Sequence, residues 1–193
     1  MTDIYNSYND SKYNHSIDYM KIAKAINYYQ ENGFKYVEVP WDTPEEYRRI
    51  TFTGTDFSSI GDNRYLVGSS EQSFIYLYDL NLIPKGSYIT CSPCFRGDDI
   101  DETHQKYFMK AELFETLNTS VTRLFEILDK SKQFFNLYLP SDIIQTSDFE
   151  YDICSFSGIE LGSYGIRKYN NKSWIYGTAV AEPRLSKAIE LFK

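Results

Sequence analysis

The chain has 193 residues, enough for one globular domain with a real core and little room for a second. Its hydrophobic share of 42% and charged share of 24% are ordinary for a soluble protein. A formal net charge of -7 excludes diffuse attachment to a polyphosphate, so an anion could be held only where a few arginines converge.

The first residues, 1–14, are polar and rich in Asn and Tyr, and read as a loosely held arm. They leave 15–193 as a single domain. From Ser16, the apolar positions Ile17, Met20, Ala23 and Ile26 recur at helical spacing, and Gly33 supplies a left-handed stop. Phe34 to Val39 reads as a strand ended by Pro40. Thr43-Pro44-Glu45-Glu46 has the form of a capping box with Pro at the first helical position, so a short helix is expected there. Arg64 to Val67 is a short strand. Ser69 or Ser70 then caps a helix to about Leu82, which Pro84 and Gly86 break.

Strands are expected at Ser87–Arg96 and His104–Phe114. The first contains Cys91-Ser-Pro-Cys94, nominally a CxxC. Zinc would need two more ligands, and only Cys154, His15 and His104 are on offer; a redox pair normally opens a helix, not a strand. The three cysteines read as buried structural thiols of a cytosolic protein. Val121, Leu124, Phe125 and Leu128 mark a long helix to about Phe135. Beyond Pro140, strands are expected near Asp148–Ser155, Ile159–Ser163, Ile166–Tyr169 and Ser173–Gly177, with a turn at Asn170-Asn171. A final helix begins near Glu182-Pro183. Strands in hairpin order between helices indicate an α+β fold, an antiparallel β-sheet flanked by helices. Neither GxGxxG nor GxxxxGK[ST] occurs. No apolar run reaches the ~20 residues of a membrane span and the N-terminus has no signal-peptide form, so a cytoplasmic protein with no membrane partner is expected.

Three groups of residues could carry chemistry. In the first, Phe95-Arg-Gly-Asp98 leads through an acidic turn to His104-Gln-Lys-Tyr-Phe108-Met-Lys-Ala-Glu112. The two-residue period of a strand puts His104, Phe108, Lys110 and Glu112 on one face, with Arg96 on the antiparallel neighbour. Arginine can clamp a phosphate and a phenyl ring can stack on a base, although an ordinary solvated hairpin would look similar. The second is Tyr151-Asp152 followed by Gly158-Ile-Glu160-Leu-Gly162-Ser163-Tyr-Gly165-Ile-Arg167, where carboxylates on adjacent strands suit Mg²⁺ and glycines allow close approach of a ligand. The third is Gly177-Thr-Ala-Val-Ala-Glu-Pro183-Arg184, a strand leading into a helix with a cation in its first turn, which could seat a phosphate or merely pair with Glu182.

In this order, the three groups resemble the signature of class II aminoacyl-tRNA synthetases. Gly33-Phe-Lys-Tyr-Val-Glu-Val-Pro40 is similar to motif 1, Phe95-Arg96…His104…Phe108…Glu112 to motif 2, and Gly177…Pro183-Arg184-Leu185 to motif 3. The resemblance runs from about Ile17 to the C-terminus. It implies that Arg96 grips the α-phosphate of ATP, with Asp98 also at the nucleotide, and that Phe108 stacks on adenine. It further implies that His104 and Arg184 hold the outer phosphates, and that Arg96 and Arg184 are the catalytic cations. Mg²⁺ would lie on Asp152, Glu160 and Ser163, and the amino acid on Gln72, Glu112 and Arg167. A motif 1 homodimer would follow.

Tyr151-Asp152…Gly158-Ile-Glu160-Leu-Gly162…Ile166-Arg167 is similar to the aspartyl/asparaginyl/lysyl subclass, in whose aspartyl members the arginine matching Arg167 pairs with a substrate carboxylate. Ser92-Pro-Cys-Phe-Arg96 and Glu160-x-x-Ser163 equally suit a seryl-like enzyme, so an aspartate-like or serine-like amino acid is expected. Two features depart from a complete synthetase. No anticodon-binding domain is expected within these 193 residues, and the motif 2 loop, Asp98-Asp99-Ile100-Asp101-Glu102, carries four acids and no Lys or Arg, which should repel tRNA. The expectation is an ATP-dependent, amino-acid-adenylating ligase whose acceptor is tRNA or another molecule. The alternative is a degenerate relative that binds an amino acid or nucleotide as a regulator. Arg96, Phe108, Glu160 and Arg184 favour the enzyme, and the acidic loop favours a non-tRNA acceptor or the regulator.

Overall fold

A computed structural model describes residues 17–52, 59–96 and 106–192. The polar arm, Asp98, His104 and the acidic loop between them lie outside the described residues. Helix α1 (Tyr19–Glu31) starts where the Asp18 side chain accepts from the Met20 and Lys21 amides, and ends before Gly33 at φ +92°. Its buried face is Ile22, Ala25 and Tyr29. The stripe expected from the sequence was therefore rotated: Met20 is 78% exposed, while Ile17 and Ile26 only flank the core. The bulky, half-polar Tyr29 took the central position, satisfied by a 2.9 Å bond from its hydroxyl to Ser131 Oγ.

Only Lys35–Tyr36 (β1) of the expected Phe34–Val39 strand enters the sheet. A small three-stranded sheet follows, formed by β2 (Asp42–Pro44), β3 (Ser59–Gly61) and β4 (Arg64–Leu66) in the order β2-β4-β3. Helix α2 (Glu45–Thr51) begins after Pro44, which is its N-cap and offers no side-chain bond. The capping box expected at Thr43 does not form, because Thr43 is drawn into β2 opposite Tyr65 and buried. Helix α3 (Ser70–Asp79) is capped by Ser69, whose side chain accepts from Glu71 N.

The main sheet has seven strands in the order β1-β5-β6-β10-β9-β8-β7: β5 (Ser87–Phe95), β6 (Tyr107–Glu115), β7 (Ser141–Ser147), β8 (Glu150–Ser155), β9 (Glu160–Tyr169) and β10 (Lys172–Glu182). All pairings are antiparallel except β1 with β5, giving an α+β fold with a mostly antiparallel sheet. Three strand expectations change. The polar, largely exposed β7 was missed because an edge strand needs no apolar face; two short segments are one continuous β9; and β10 runs on to Glu182. Helices α4 (Val121–Phe135) and α5 (Arg184–Phe192) complete the chain.

Alternation along the strands gives each face of the sheet its own core. One face carries Ile89, Ala111, Leu113, Ile153, Tyr164 and Ile175, packed under α1, α4 and α5. At one end of the other face, α3 stacks Phe74 on Phe114 at 4.8 Å, and Trp174 lies beyond at 5.8 Å. Part of the rest of this second face forms the floor of a cleft. No helix among the described residues is long and apolar enough to cross a membrane.

Candidate active site

The cleft has a volume of about 280 Å³ and is floored by β6, β9 and β10, with the start of α3 and the ends of β5 and α2 as its rim. Arg96, Phe108, Glu112, Glu160, Ser163, Arg167 and Arg184 line it together. These residues come from three separate stretches of sequence, and the sheet register joins them: Thr178 on β10 pairs with Glu112, Gly177 with Tyr164, and Asp152 on β8 with Ser163. The period-two reading of β6 holds, since Phe108, Lys110 and Glu112 all reach the cleft.

Arg96 follows β5 and is fixed by a 3.0 Å bond from its Nε to the Gly68 carbonyl. Its guanidinium lies 5.4 Å from the Phe108 ring centroid. A cation and an aromatic face thus occupy one wall. Gln72 is fully buried at the rim and uses both ends of its amide internally. It accepts from Gly68 N at 2.9 Å and donates to Thr51 Oγ1 at 3.0 Å. That makes it a brace for the Gly68 turn.

Glu112 is buried at the start of α3. It accepts from Ser69 Oγ at 2.6 Å, from the Ser70 amide, and from Lys110 Nζ at 2.7 Å. Burial alone would raise its carboxyl, but the Lys110 charge and these bonds outweigh that and hold it below the usual value. Beside it, Glu71 accepts from Trp174 Nε1 at 2.7 Å and from Arg167 Nη1 at 2.5 Å. Arg167 also lies 3.9 Å over the Tyr176 ring and 3.8 Å from Glu150. Burial pushes Glu71 up, and Arg167 and the Trp174 bond pull against it.

Across the cleft, Arg184 Nη1 donates to Glu160 Oε1 at 2.9 Å. The expected alternative pairing of Arg184 with Glu182 is not formed, because Glu182 is turned to the helical side of the sheet, where it accepts from Ser186 Oγ at 2.6 Å. Asp152 shares the cleft face of β8 and β9 with Ser163. Burial raises its carboxyl, the Ser163 bond offsets this, and the charges of Glu160 and Glu150 add to the rise. A hard divalent cation would relieve such crowding of carboxylates. Asp152, Glu160 and Ser163 are the residues that could hold Mg²⁺, although no group of three or more His, Cys, Asp or Glu that could hold a metal ion forms among the described residues.

Glu71, Trp174 and Tyr176 were not among the residues expected at the site. Glu71 carried one signal, its place two residues after the helix cap Ser69, which puts a carboxylate at a helix start. Its partners are about a hundred residues away in sequence and gave none. Cys91 and Cys94 sit on β5 with burial pushing both thiols up to about 12, as structural thiols.

No protein-family model matches the chain, and no curated protein matches its sequence. Solved structures do match. Seryl-tRNA synthetase from Pyrococcus horikoshii complexed with ATP superposes with a TM-score of 0.73 at 19% identity, over 88% of this chain and 49% of that one. Pyrrolysyl-tRNA synthetase from Desulfitobacterium hafniense superposes with a TM-score of 0.69 at 16% identity, over 89% of this chain and 67% of that one. Both are class II synthetases, and the chain has the fold of their catalytic core. It spans about half the length of the seryl enzyme.

Proposed function

We propose that the protein activates an amino acid with ATP in this cleft, forming an aminoacyl-adenylate. The observation that carries the reading is the convergence of Arg96, stacked near Phe108, with Arg184 and the Glu160 carboxylate around one cleft. In the step envisaged, an oxygen of the amino-acid carboxylate attacks the α-phosphorus. The bond to the bridging oxygen of the β-phosphate breaks, and pyrophosphate leaves with that electron pair. No protein nucleophile is required; the protein aligns the reactants and offsets charge. In this reading Arg96 holds the α-phosphate, Phe108 stacks on adenine and Arg184 meets the outer phosphates. Asp152, Glu160 and Ser163 would hold Mg²⁺, which would neutralise phosphate charge.

The acidic segment Asp98 to Glu102 favours an acceptor other than tRNA, because four carboxylates repel a phosphate backbone. The same segment keeps a second reading in play, a synthetase relative that binds amino acid and nucleotide as a regulator. A cytoplasmic homodimer completes the proposal. Amino-acid-dependent exchange of labelled pyrophosphate into ATP tests it. Exchange with at least one amino acid supports activation, whereas ATP binding with no exchange for any of them establishes the regulator.

A further inference from the structure

Glu71, Arg167, Lys110 and Glu112 line one wall of the cleft as two ion pairs. Arg167 meets Glu71 at 2.5 Å and Lys110 meets Glu112 at 2.7 Å. The two pairs also sense each other, since the charges of Glu112 and Lys110 both act on Glu71, and that of Glu112 acts on Arg167. Both carboxylates are about 95% buried, and their oxygens are taken up by Trp174, Ser69 and the Ser70 amide as well as by the cations. Within these two ion pairs, two acids balance two bases.

A substrate side chain placed against this wall meets a cost whichever sign it carries. A carboxylate would have to compete with buried Glu71 for Arg167, leaving one acid unpaired in a desolvated place. An ammonium or guanidinium would have to displace Lys110 or Arg167 from an acid in the same way. Stranding one member of a buried pair costs several kcal/mol, more than a new exposed contact returns. Uncharged groups face no such penalty, and Thr178 also lines the cleft.

We propose that the Glu71–Arg167–Lys110–Glu112 group is a specificity device that selects an amino acid with an uncharged polar side chain and rejects acidic ones. This rests on the activation reading and names its substrate class. Arg167 acts here as a positioning residue held by Glu71, and the wall discriminates by being already neutral.

The test uses stable sulfamoyl analogues of aminoacyl-adenylates carrying seryl, threonyl, glutaminyl, aspartyl, glutamyl and lysyl groups, with binding to the full chain read by calorimetry. The expected result is that an uncharged polar analogue binds at least tenfold more tightly than the aspartyl, glutamyl and lysyl ones. Glu71→Gln keeps an acceptor for Trp174 but frees the charge of Arg167, and should improve aspartyl or glutamyl binding at least tenfold. Glu71→Gln combined with Arg167→Gln restores neutrality and should erase that gain. Wild-type protein that prefers an acidic or lysyl analogue overturns the proposal, even if the variants fail to fold. Equal acid affinity in wild type and a folded Glu71→Gln protein also overturns it. Binding of no analogue while pyrophosphate exchange occurs with an apolar amino acid overturns the proposal and leaves activation standing, whereas neither binding nor exchange with any amino acid defeats the activation reading itself.

Discussion

Arg96 Nε and the Gly68 carbonyl are joined at 3.0 Å, tying the end of β5 to the turn that opens α3. The bond sets the direction of the guanidinium near Phe108. It also makes Gly68 a sensitive position, because a Cβ there would stand 3.3 Å from the Phe95 carbonyl and 3.6 Å from Arg96 Cγ. Arg96→Ala is expected to abolish the rise in melting temperature that ATP produces. Gly68→Ala should reduce that rise while the unliganded melting temperature moves by only a few degrees. Full ATP stabilisation in Arg96→Ala would remove Arg96 from the nucleotide site.

Cys91 and Cys94 give a contrasting prediction. With both thiols pushed up to about 12 by burial, they stay protonated at neutral pH and make poor nucleophiles and metal ligands. Cys91→Ser should leave ATP stabilisation intact, and zinc should not raise the melting temperature of the wild-type protein. A zinc-dependent rise lost in Cys91→Ser would identify a metal site.

The contrast between Arg96 and the two cysteines shows what is legible in the sequence. Arg96, Phe108 and Glu112 follow the two-residue period of paired extended segments, so their shared face is legible in the sequence. The fold class followed for the same reason, since most strands and helices carry a local pattern. Helix α1 and strand β7 failed locally: Tyr29 is an aromatic with a buried hydroxyl partner, and β7 is an edge with almost no apolar face. The Glu71–Arg167 and Glu71–Trp174 contacts were not legible at all. They span 96 and 103 residues, and only the register of β9 and β10 brings them to α3.

The Glu112 carboxyl predicts an acid limb of stability. Its folded-state value lies below the ordinary 4.5, because Lys110, Ser69 and the Ser70 amide together outweigh burial. The stabilisation is therefore present above the unfolded value and is lost as pH falls through the lower folded one. Glu112→Gln should flatten this part of the stability–pH curve and cost about 3 kcal/mol at pH 7 by stranding Lys110. Denaturant unfolding from pH 3 to pH 7 measures both, and an unchanged acid limb in Glu112→Gln would show that another carboxylate governs it.

The carboxylates of β8 and β9 predict how the site treats Mg²⁺. Asp152 is pushed up by burial and by the nearby Glu160 and Glu150 charges, while Arg184 holds Glu160 from the opposite side at 2.9 Å. A cation should be drawn there chiefly once phosphate oxygens complete its shell, because the protein offers few ligands of its own. Mg²⁺ alone should therefore stabilise the protein little, and Mg²⁺ with ATP should stabilise it more than ATP does. Asp152→Asn and Glu160→Gln should each remove most of that Mg²⁺ increment, and Asp152→Asn should leave the metal-free ATP response in place. Glu160→Gln also loosens Arg184, so it should weaken metal-free ATP binding as well, and this difference between the two variants separates metal holding from phosphate-arm positioning. If both variants keep the full Mg²⁺ increment, the cation binds elsewhere in the cleft.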